Sequence, residues 1–256
     1  GFNTTNLWDV RQHFFTEAKV FLHYLKIILV PLQRWLCVDH QYPLATQLDY
    51  KVAAAFFFYL LIICAAILSY RKGLIVCCFG IVWFYLALVP PYMFVPLADV
   101  MVDYKTYLPS IGIFCAVAGL ADRFLTKKNV LAAAVGYACV LAAFVWGAKV
   151  RNEVFRTEVS FWSDAIEKYP NNTRAYNNRG LAYMRSGEWG KAIEDYRVAL
   201  AREPENIFSL ANAGDAYAGR GENDQALLLY ARYQQLNPEK NDGYIPMGNI
   251  YARQKQ

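Results

Sequence analysis

A period of about 34 residues in the last third of the chain constrains the fold more than any other feature of the sequence. Glycine, tyrosine, alanine, tyrosine and proline recur in the same order in two successive copies, while the mark before the glycine and the mark before the proline change residue type. The first copy carries Tyr176, Gly180, Tyr183, Ala192, Tyr196, Ala199 and Pro204; the second carries Leu210, Gly214, Tyr217, Ala226, Tyr230, Tyr233 and Pro238. A third copy opens with Tyr244, Gly248 and Tyr251. Such a period predicts stacked helical hairpins, because one hairpin cannot bury its apolar side alone.

The repeated spacing resembles the tetratricopeptide repeat. In that reading the two glycines let paired helices approach closely, and the prolines end the second helix of each hairpin. Trp162, Ala165 and Pro170 match only the later marks of a repeat. We therefore expect residues 151–256 to form a half repeat, two full repeats and a partial third, with the half repeat continuing the helix before it.

The inner groove of such an array is lined mainly by the first helix of each hairpin. We therefore expect a protein or peptide to bind there. The predicted groove residues are Arg174, Asn177, Asn178, Arg185, Phe208, Asn212 and Asp215. Asn178 and Asn212 occupy equivalent positions and resemble the asparagine ladders that hold peptide backbones; alternatively, they are asparagines on a solvated helix face.

The preceding part of the chain is strongly apolar. The whole sequence is 56% hydrophobic and 18% charged, whereas soluble domains carry about 25% charged residues. Four stretches approach the length that a bilayer requires: Val52 to Tyr70, Leu74 to Val89, Leu108 to Leu125, and Val130 to Val150. We predict an all-α protein with a four-helix transmembrane region over residues 52–150, followed by the repeat solenoid.

Residues 1–51 form a third segment, which contains the apolar stretch Ala18 to Leu32. Lys19, His23 and Lys26 interrupt this stretch, which favours a helix at the membrane interface or packed under other helices. A tilted or kinked span is the alternative. We also expect Gly1 to follow further sequence in a longer protein, because no initiator methionine or signal-type segment precedes it.

Charge in the short connections predicts the orientation. Arg71 and Lys72 lie between the first two apolar stretches, and Arg123, Lys127 and Lys128 lie between the last two. The connection from Pro90 to Tyr107 has only Lys105 against Asp99 and Asp103. Basic loops stay in the cytoplasm, so the repeats would lie on the opposite side. That side is the periplasm at a bacterial inner membrane, which is the expected location, or the lumen in a eukaryote. The net charge of +5 fits this topology, and no motif indicates nucleic-acid binding.

Two connections carry polar groups that could meet near the bilayer. The candidates for catalysis are Asp39, His40 and Asp103, and the expected pocket residues are Tyr42, Asp99, Lys105 and Tyr107. A carboxylate beside an imidazole can move protons; alternatively, these residues anchor helix ends at the headgroups. No zinc-type spacing or cofactor motif is present. Small residues at Ala134, Ala138 and Ala142 predict close helix packing, within this chain or against another transmembrane subunit.

The order of these features resembles the transmembrane-and-tetratricopeptide-repeat proteins, which are GT-C-type protein glycosyltransferases. The resemblance rests on the Asp39 to Pro43 stretch, the Pro90 and Pro91 pair, the run Tyr107 to Gly112, and the repeats downstream. It implies a polyprenyl-phosphate sugar as donor. GT-C enzymes keep their catalytic acidic residue in an early outer loop, for which this chain offers no counterpart, so the resemblance carries over no catalytic residue. Family members often have a different acidic residue before the Tyr107 to Ser110 stretch, and the resemblance implies that Asp103 takes that position, with Lys105 in place of a basic residue.

Two functions follow from the sequence. The chain is either the later half of a polyprenyl-phosphate-sugar-dependent protein glycosyltransferase, whose repeats bind acceptors outside the cytoplasm, or a non-catalytic scaffold subunit of a larger membrane complex. Whether the chain itself is an enzyme stays open at this point. Membrane lipids are expected partners in both cases.

Overall fold

A computed structural model describes residues 10–29, 35–40, 45, 47–88, 106–121, 129–239 and 243–254. Within these residues the chain is entirely helical apart from turns, and it divides into two compact units, Gly1–Arg151 and Asn152–Gln256. The all-α prediction is therefore confirmed. The two units are described separately.

The first unit contains α1 to α4 and most of α5. Their bounds are α1 Val10–Leu29, α2 Tyr50–Arg71, α3 Ile75–Leu88, α4 Tyr107–Ala121 and α5 Val130–Val154. Helix α2 begins where the Asp49 carboxylate accepts hydrogen bonds from the backbone N–H groups of Lys51 and Val52, each at 3.0 Å. Gly73, with φ of 71°, forms the tight turn into α3, a conformation that costs glycine little.

Helix α1 packs against α2 and α3 with a closely fitted apolar face. Phe21 and Tyr24 are buried, and the Phe21 ring lies 4.2 Å from that of Tyr59 on α2. Three polar residues on α1 are also buried, namely His13, Thr16 and Glu17. The Thr16 hydroxyl accepts a hydrogen bond from the Ala45 N–H at 2.8 Å. The sequence left three placements open for this helix: at the membrane interface, packed under other helices, or as a tilted or kinked span. These contacts agree with packing under other helices.

Helices α3 and α4 approach so closely that only glycine fits at the contact. A methyl group on Gly112 would overlap the carbonyl oxygen of Gly80 and lie 2.7 Å from the backbone nitrogen of Phe84. A methyl group on Gly119 would lie 2.8 Å from the backbone nitrogen of Cys77. Small residues at such crossings allow backbones to touch, as in membrane helix pairs.

Two described helices, Tyr50–Arg71 and Val130–Val154, are long and apolar enough to cross a membrane. Most large apolar side chains on α2 face outward, and no side chain in the most apolar stretch of α5 is buried. Helices α3 and α4 are apolar but shorter, with 14 and 15 residues. Membrane crossing by α2 and α5 agrees with these dimensions, and the other two predicted spans stay a prediction.

The second unit is a series of antiparallel hairpins. Its helices are α6 Glu158–Lys168, α7 Thr173–Arg185, α8 Trp189–Arg202, α9 Ile207–Gly219, α10 Asn223–Leu236 and α11 Tyr244–Gln254. Helix α7 pairs with α8 and α9 pairs with α10, while α9 also contacts α8 and α7. These neighbours are those of a repeat solenoid.

Glycine faces an aromatic ring inside each full hairpin. A methyl group on Gly180 would lie 2.8 Å from the Tyr196 ring, and one on Gly214 would lie 2.6 Å from the Tyr230 ring. Between the helices, Gly187 and Gly221 adopt φ of 76° and 86°, which lets the chain reverse direction within a short turn. The repeated small and aromatic residues therefore have the roles that their spacing predicts.

The expected continuous helix into the half repeat is wrong. Helix α5 ends at Val154, and α6 starts after Thr157, whose hydroxyl accepts a hydrogen bond from the Ser160 N–H at 3.0 Å. The Ser160 hydroxyl in turn accepts from the Thr157 N–H at 3.1 Å. This reciprocal cap satisfies two backbone donors and gives α6 its own beginning.

Candidate functional site

The predicted groove residues lie on α7 and α9, the first helices of the two full hairpins. Each helix starts at an asparagine cap: Asn172 accepts a hydrogen bond from the Ala175 N–H at 3.1 Å, and Asn206 accepts one from the Ser209 N–H at 3.0 Å. Helix α7 contacts α9, so the predicted residues lie on two neighbouring helices. We call this set the first-helix face: Arg174, Asn177, Asn178, Arg185, Phe208, Asn212 and Asp215.

Two amides join α7 to α9 at the centre of this face. The Asn177 Oδ1 atom accepts hydrogen bonds from Asn212 Nδ2 and from Ser209 Oγ, each at 3.3 Å. The sequence suggested Asn178 and Asn212 as equivalent rungs of a ladder, but Asn212 pairs with Asn177 instead. A side-chain amide both donates and accepts, so this pair suits the alternating donors and acceptors of a peptide backbone.

Around the amides, the face offers contacts of several kinds. Phe208 is 69% exposed and Arg174 is exposed, so an apolar ring and a cation lie on the same surface. The Asp215 side chain is held by a hydrogen bond from α10, in which the Tyr230 hydroxyl donates to Asp215 Oδ1 at 2.6 Å. Burial, followed by this hydrogen bond to the carboxylate, raises the pKa of Tyr230 above its usual range.

A cleft of about 430 Å³ opens between α6 and α7 at one end of the array. Its lining is mostly aromatic and aliphatic, with a polar rim: Phe155, Thr157, Glu158, Phe161, Trp162, Asn178, Leu181 and Arg185. The Arg185 guanidinium donates to both carboxylate oxygens of Glu158 at 2.8 Å. Asn178 and Arg185 thus belong both to the first-helix face and to this cleft.

A partly buried ion pair beneath the first-helix face was not anticipated from the sequence. Arg179 donates to both oxygens of Asp195, at 2.8 and 2.7 Å, and to the hydroxyl of Ser163 at 3.2 Å. Hydrogen bonding to Asp195 is the main cause that raises the Arg179 pKa. These contacts link α6, α7 and α8. A comparison of the repeats could have indicated this ion pair, because the next copy has the apolar residues Ala213 and Leu229 at the positions of Arg179 and Asp195.

In the first unit, the Asp39 and His40 stretch folds back against α1. The imidazole rings of His40 and His23 meet edge to face at 5.5 Å, and His23 Nε2 donates to the Trp35 carbonyl at 3.2 Å. Asp39 is half-buried, and its carbonyl accepts from the Cys37 thiol at 3.5 Å. Two imidazoles therefore lie side by side at the candidate acid–base position.

Some of the remaining predicted residues lie within the described part of the chain and others lie outside it. Tyr107 is the first residue of α4 and is 72% exposed, whereas Tyr42, Asp99, Asp103 and Lys105 lie outside the described residues. Ala134, Ala138 and Ala142 are exposed along α5. Within the described part of the chain, no three histidine, cysteine or acidic side chains converge as they would around a metal ion.

The second unit contains a tetratricopeptide repeat, since a model of that family matches residues 173–206. Among solved structures, the Arabidopsis OM64 TPR domain is similar with 18% identity and a TM-score of 0.37, covering 42% of this chain and 88% of that domain.

The chain is also similar to the protein O-mannosyl-transferase TMTC3 of Mus musculus, with 24% identity over 150 residues. The match covers 57% of this chain and 16% of that protein, so the chain spans a small part of this relative. The human superkiller complex protein 3 is 34% identical over 65 residues, covering 25% of this chain and 4% of that protein. The photosystem I assembly protein Ycf3 of Synechococcus sp. (strain WH7803) is 29% identical over 96 residues, covering 34% and 56%.

The three matches to sequence relatives cover different shares of this chain. The match to the mouse O-mannosyl-transferase covers a larger share of the chain than the whole unit Asn152–Gln256 makes up. It therefore extends into the apolar unit. The other two matches cover less of the chain than the repeat unit does.

Proposed function

We propose that this chain is a membrane-attached protein-binding module, in which the apolar unit holds the repeats at a bilayer and the first-helix face binds a polypeptide. We further propose that it is the later part of a glycosyltransferase that transfers sugar from a polyprenyl-phosphate carrier to protein. The observation that carries the proposal is the similarity to a protein O-mannosyl-transferase that extends beyond the repeats.

The chemistry of the first-helix face supports capture of a peptide rather than of a small polar ligand. The paired amides of Asn177 and Asn212 present hydrogen-bonding atoms to a backbone, while exposed Phe208 supplies an apolar anchor. Such a surface would contact the backbone and one or two side chains of the bound polypeptide, so it could accept acceptors of different sequence. Apolar anchors surrounded by polar contacts are typical of protein interfaces.

The repeats would hold the acceptor on the periplasmic or luminal side, as the basic loops suggest. Sugar transfer itself would need a general base at the acceptor hydroxyl and an acidic or cationic group near the leaving phosphate. In the described first unit, the paired imidazoles of His23 and His40 with Asp39 are the groups of suitable chemistry. We assign them a supporting role in the pocket, and place the principal catalytic acid in the preceding part of a longer protein.

A non-catalytic scaffold is the second proposal. The human relative is named for a complex and the cyanobacterial relative for an assembly function, and their matches cover shares of the chain that fit within the repeat unit. In that case the first-helix face would hold a subunit of a membrane assembly, with the outward-facing α5 against lipid or another transmembrane helix.

Replacing Asn212 by alanine in the full gene tests the proposal. We expect mannose incorporation into protein acceptors to fall by about tenfold, since removing a peptide hydrogen bond at a desolvated site costs on the order of 1–2 kcal/mol. Transfer to a short soluble peptide should change little. The measurement is mass spectrometry of acceptor O-glycans, with exposed Gln225 on α10 replaced by alanine as the matched control.

The two proposals give opposite outcomes. A strain that lacks the gene separates them further. If that strain keeps all its protein glycans but loses a membrane complex, and Asn212→Ala reproduces that loss, the chain is a scaffold. If Asn212→Ala changes neither glycans nor complex formation, the first-helix face is not a binding surface and the module proposal is refuted.

A further inference from the structure

The side chain of Asp215, on the first-helix face, is held in place without an ion pair. Its Oδ1 atom accepts a hydrogen bond at 2.6 Å from the hydroxyl of Tyr230, a tyrosine that is 3% exposed, whereas Asp215 itself is exposed. Among the described side chains, no cation forms an ion pair with Asp215. Arg185, a cation of the same face, is bound instead to both carboxylate oxygens of Glu158. An oriented carboxylate with unused acceptor capacity therefore faces solvent.

The repeat fold does not require this carboxylate. The equivalent position carries Leu181 in the first copy and Asn249 in the third. In the first copy the equivalent of Tyr230 is Tyr196, which is 0% exposed and whose hydroxyl donates to a methionine sulfur at 3.2 Å. The first hairpin thus buries its tyrosine without an acidic partner, so the stability of a hairpin does not account for Asp215.

Asp215 lies on the same side of α9 as the groups proposed to hold a peptide. It follows Asn212 by three residues and Phe208 by seven, spacings that place side chains on one face of a helix. Asn212 in turn donates to Asn177 on α7 at 3.3 Å. Burial, followed by the negative charge of Asp215, raises the pKa of Tyr196, so the carboxylate also lies near the neighbouring hairpin. An apolar ring, a pair of amides and a carboxylate therefore follow one another along this face.

We propose that Asp215 selects polypeptides that carry a lysine or arginine beside the peptide unit held by Asn177 and Asn212. The cationic side chain would donate to Oδ2, the oxygen of Asp215 that the Tyr230 hydroxyl does not use. Complementary charge across an interface favours the correct partner and disfavours one of like charge. Tyr230 is a positioning residue, because a carboxylate that is already oriented loses less side-chain freedom on forming an ion pair.

The other exposed cation of the face does not cancel this selectivity. Arg174 lies in the first turn of α7, whereas Asp215 lies in the third turn of α9, so the two charges are at different levels of the face. The inference rests on the proposed binding of a polypeptide by the first-helix face, and it is independent of sugar transfer.

A pool of synthetic peptides tests the selectivity. Short acetylated and amidated peptides with randomised positions, cysteine omitted, are incubated with the full chain in nanodiscs of zwitterionic lipid, and the retained peptides are identified by mass spectrometry. Zwitterionic lipid lacks the negative surface potential that attracts basic peptides, and empty nanodiscs give the background. We expect lysine and arginine to be enriched about two- to fivefold and acidic residues to be depleted, as an exposed ion pair supports.

Four variants separate the charge of Asp215 from its orientation. Asp215→Asn keeps an oxygen that can accept from Tyr230 and should abolish the basic enrichment, whereas Asp215→Lys should replace it with an acidic enrichment. Tyr230→Phe keeps the carboxylate without its hydrogen bond and should reduce the enrichment. Asp224→Asn removes an exposed carboxylate from α10 and is the matched control, which should leave the enrichment unchanged.

Equal retention of basic and acidic peptides by the unaltered chain would overturn the proposal, as would a basic enrichment that persists in Asp215→Asn. If peptides are still retained in either case and Asn212→Ala reduces their retention, the first-helix face remains a peptide-binding surface without this selectivity. If no peptide is retained above the level of empty nanodiscs, both the selectivity and the proposed peptide binding are wrong.

Discussion

Removing Asp195 should destabilise the repeat unit more than most single substitutions. The Asp195 side chain is 6% exposed and forms two hydrogen bonds with Arg179, whose side chain is 21% exposed. Breaking a buried ion pair leaves an uncompensated charge, at a cost of about 3–5 kcal/mol. Because Arg179 is partly solvated and keeps its bond to Ser163, we expect Asp195→Ala to cost about 2–3 kcal/mol.

Removing both charges should cost far less. The next repeat has Ala213 and Leu229 at the positions of Arg179 and Asp195, and the third copy has Met247 at the first of them. The double variant Arg179→Met with Asp195→Leu therefore imitates apolar packing that the same solenoid already accommodates. Replacing a buried pair by apolar residues is often neutral or stabilising, so we expect a change within about 1 kcal/mol.

Hydrogen exchange followed by mass spectrometry provides the assay, because it reports the opening free energy of individual helices in the full chain. Protection of amides in α7 and α8 should fall in Asp195→Ala and return in the double variant. If the double variant is as unprotected as the single one, or if Asp195→Ala changes protection by less than about 0.5 kcal/mol, the pair does not stabilise the hairpin and the reasoning fails.

Three further predictions follow from single contacts. Gly112→Ala should destabilise the helix pair of the first unit by at least about 1–3 kcal/mol through overpacking, measured by thermal unfolding in detergent, whereas Gly136→Ala, with open space around its Cβ position, should not. The Tyr230 pKa is raised by burial and by its hydrogen bond to Asp215. The stability that Tyr230 contributes is therefore present below about pH 10, the ordinary tyrosine pKa, and is lost as pH rises beyond it. Tyr230→Phe should remove that part of the alkaline destabilisation, which tyrosinate absorbance and circular dichroism measure. The Asp49 pKa is lowered by its hydrogen bond with Lys19, 2.5 Å away, and by hydrogen bonds from the helix N–H groups. The stability that Asp49 contributes is therefore present above about pH 4 and is lost as pH falls. Asp49→Asn should reduce the fall of the melting temperature at acidic pH, and an unchanged fall would contradict this assignment.

Much of the second unit was predictable because its code is local and repeated. Glycine against tyrosine, alanine at close contacts and proline after each second helix all act within one hairpin, so their spacing specifies the hairpin before any packing is known. The same spacing placed the groove residues on α7 and α9. It did not reveal that Asn212 pairs with Asn177, because a hydrogen bond between hairpins depends on how far one helix is rotated against the next.

Sequence periodicity therefore determined the hairpins, and the apolar stretches determined the character of the first unit. Both follow from residues close together along the chain, and together they determined the helical class. Only the tertiary structure showed the buried Arg179 and Asp195 pair, the contact of Gly80 with Gly112, and the independent start of α6 after Thr157. Each of these depends on distances between separate helices or on the balance between a turn and a continuing helix. Trp162 and Ala165, from which the sequence predicts a half repeat, lie on α6, a single helix that begins at its own cap.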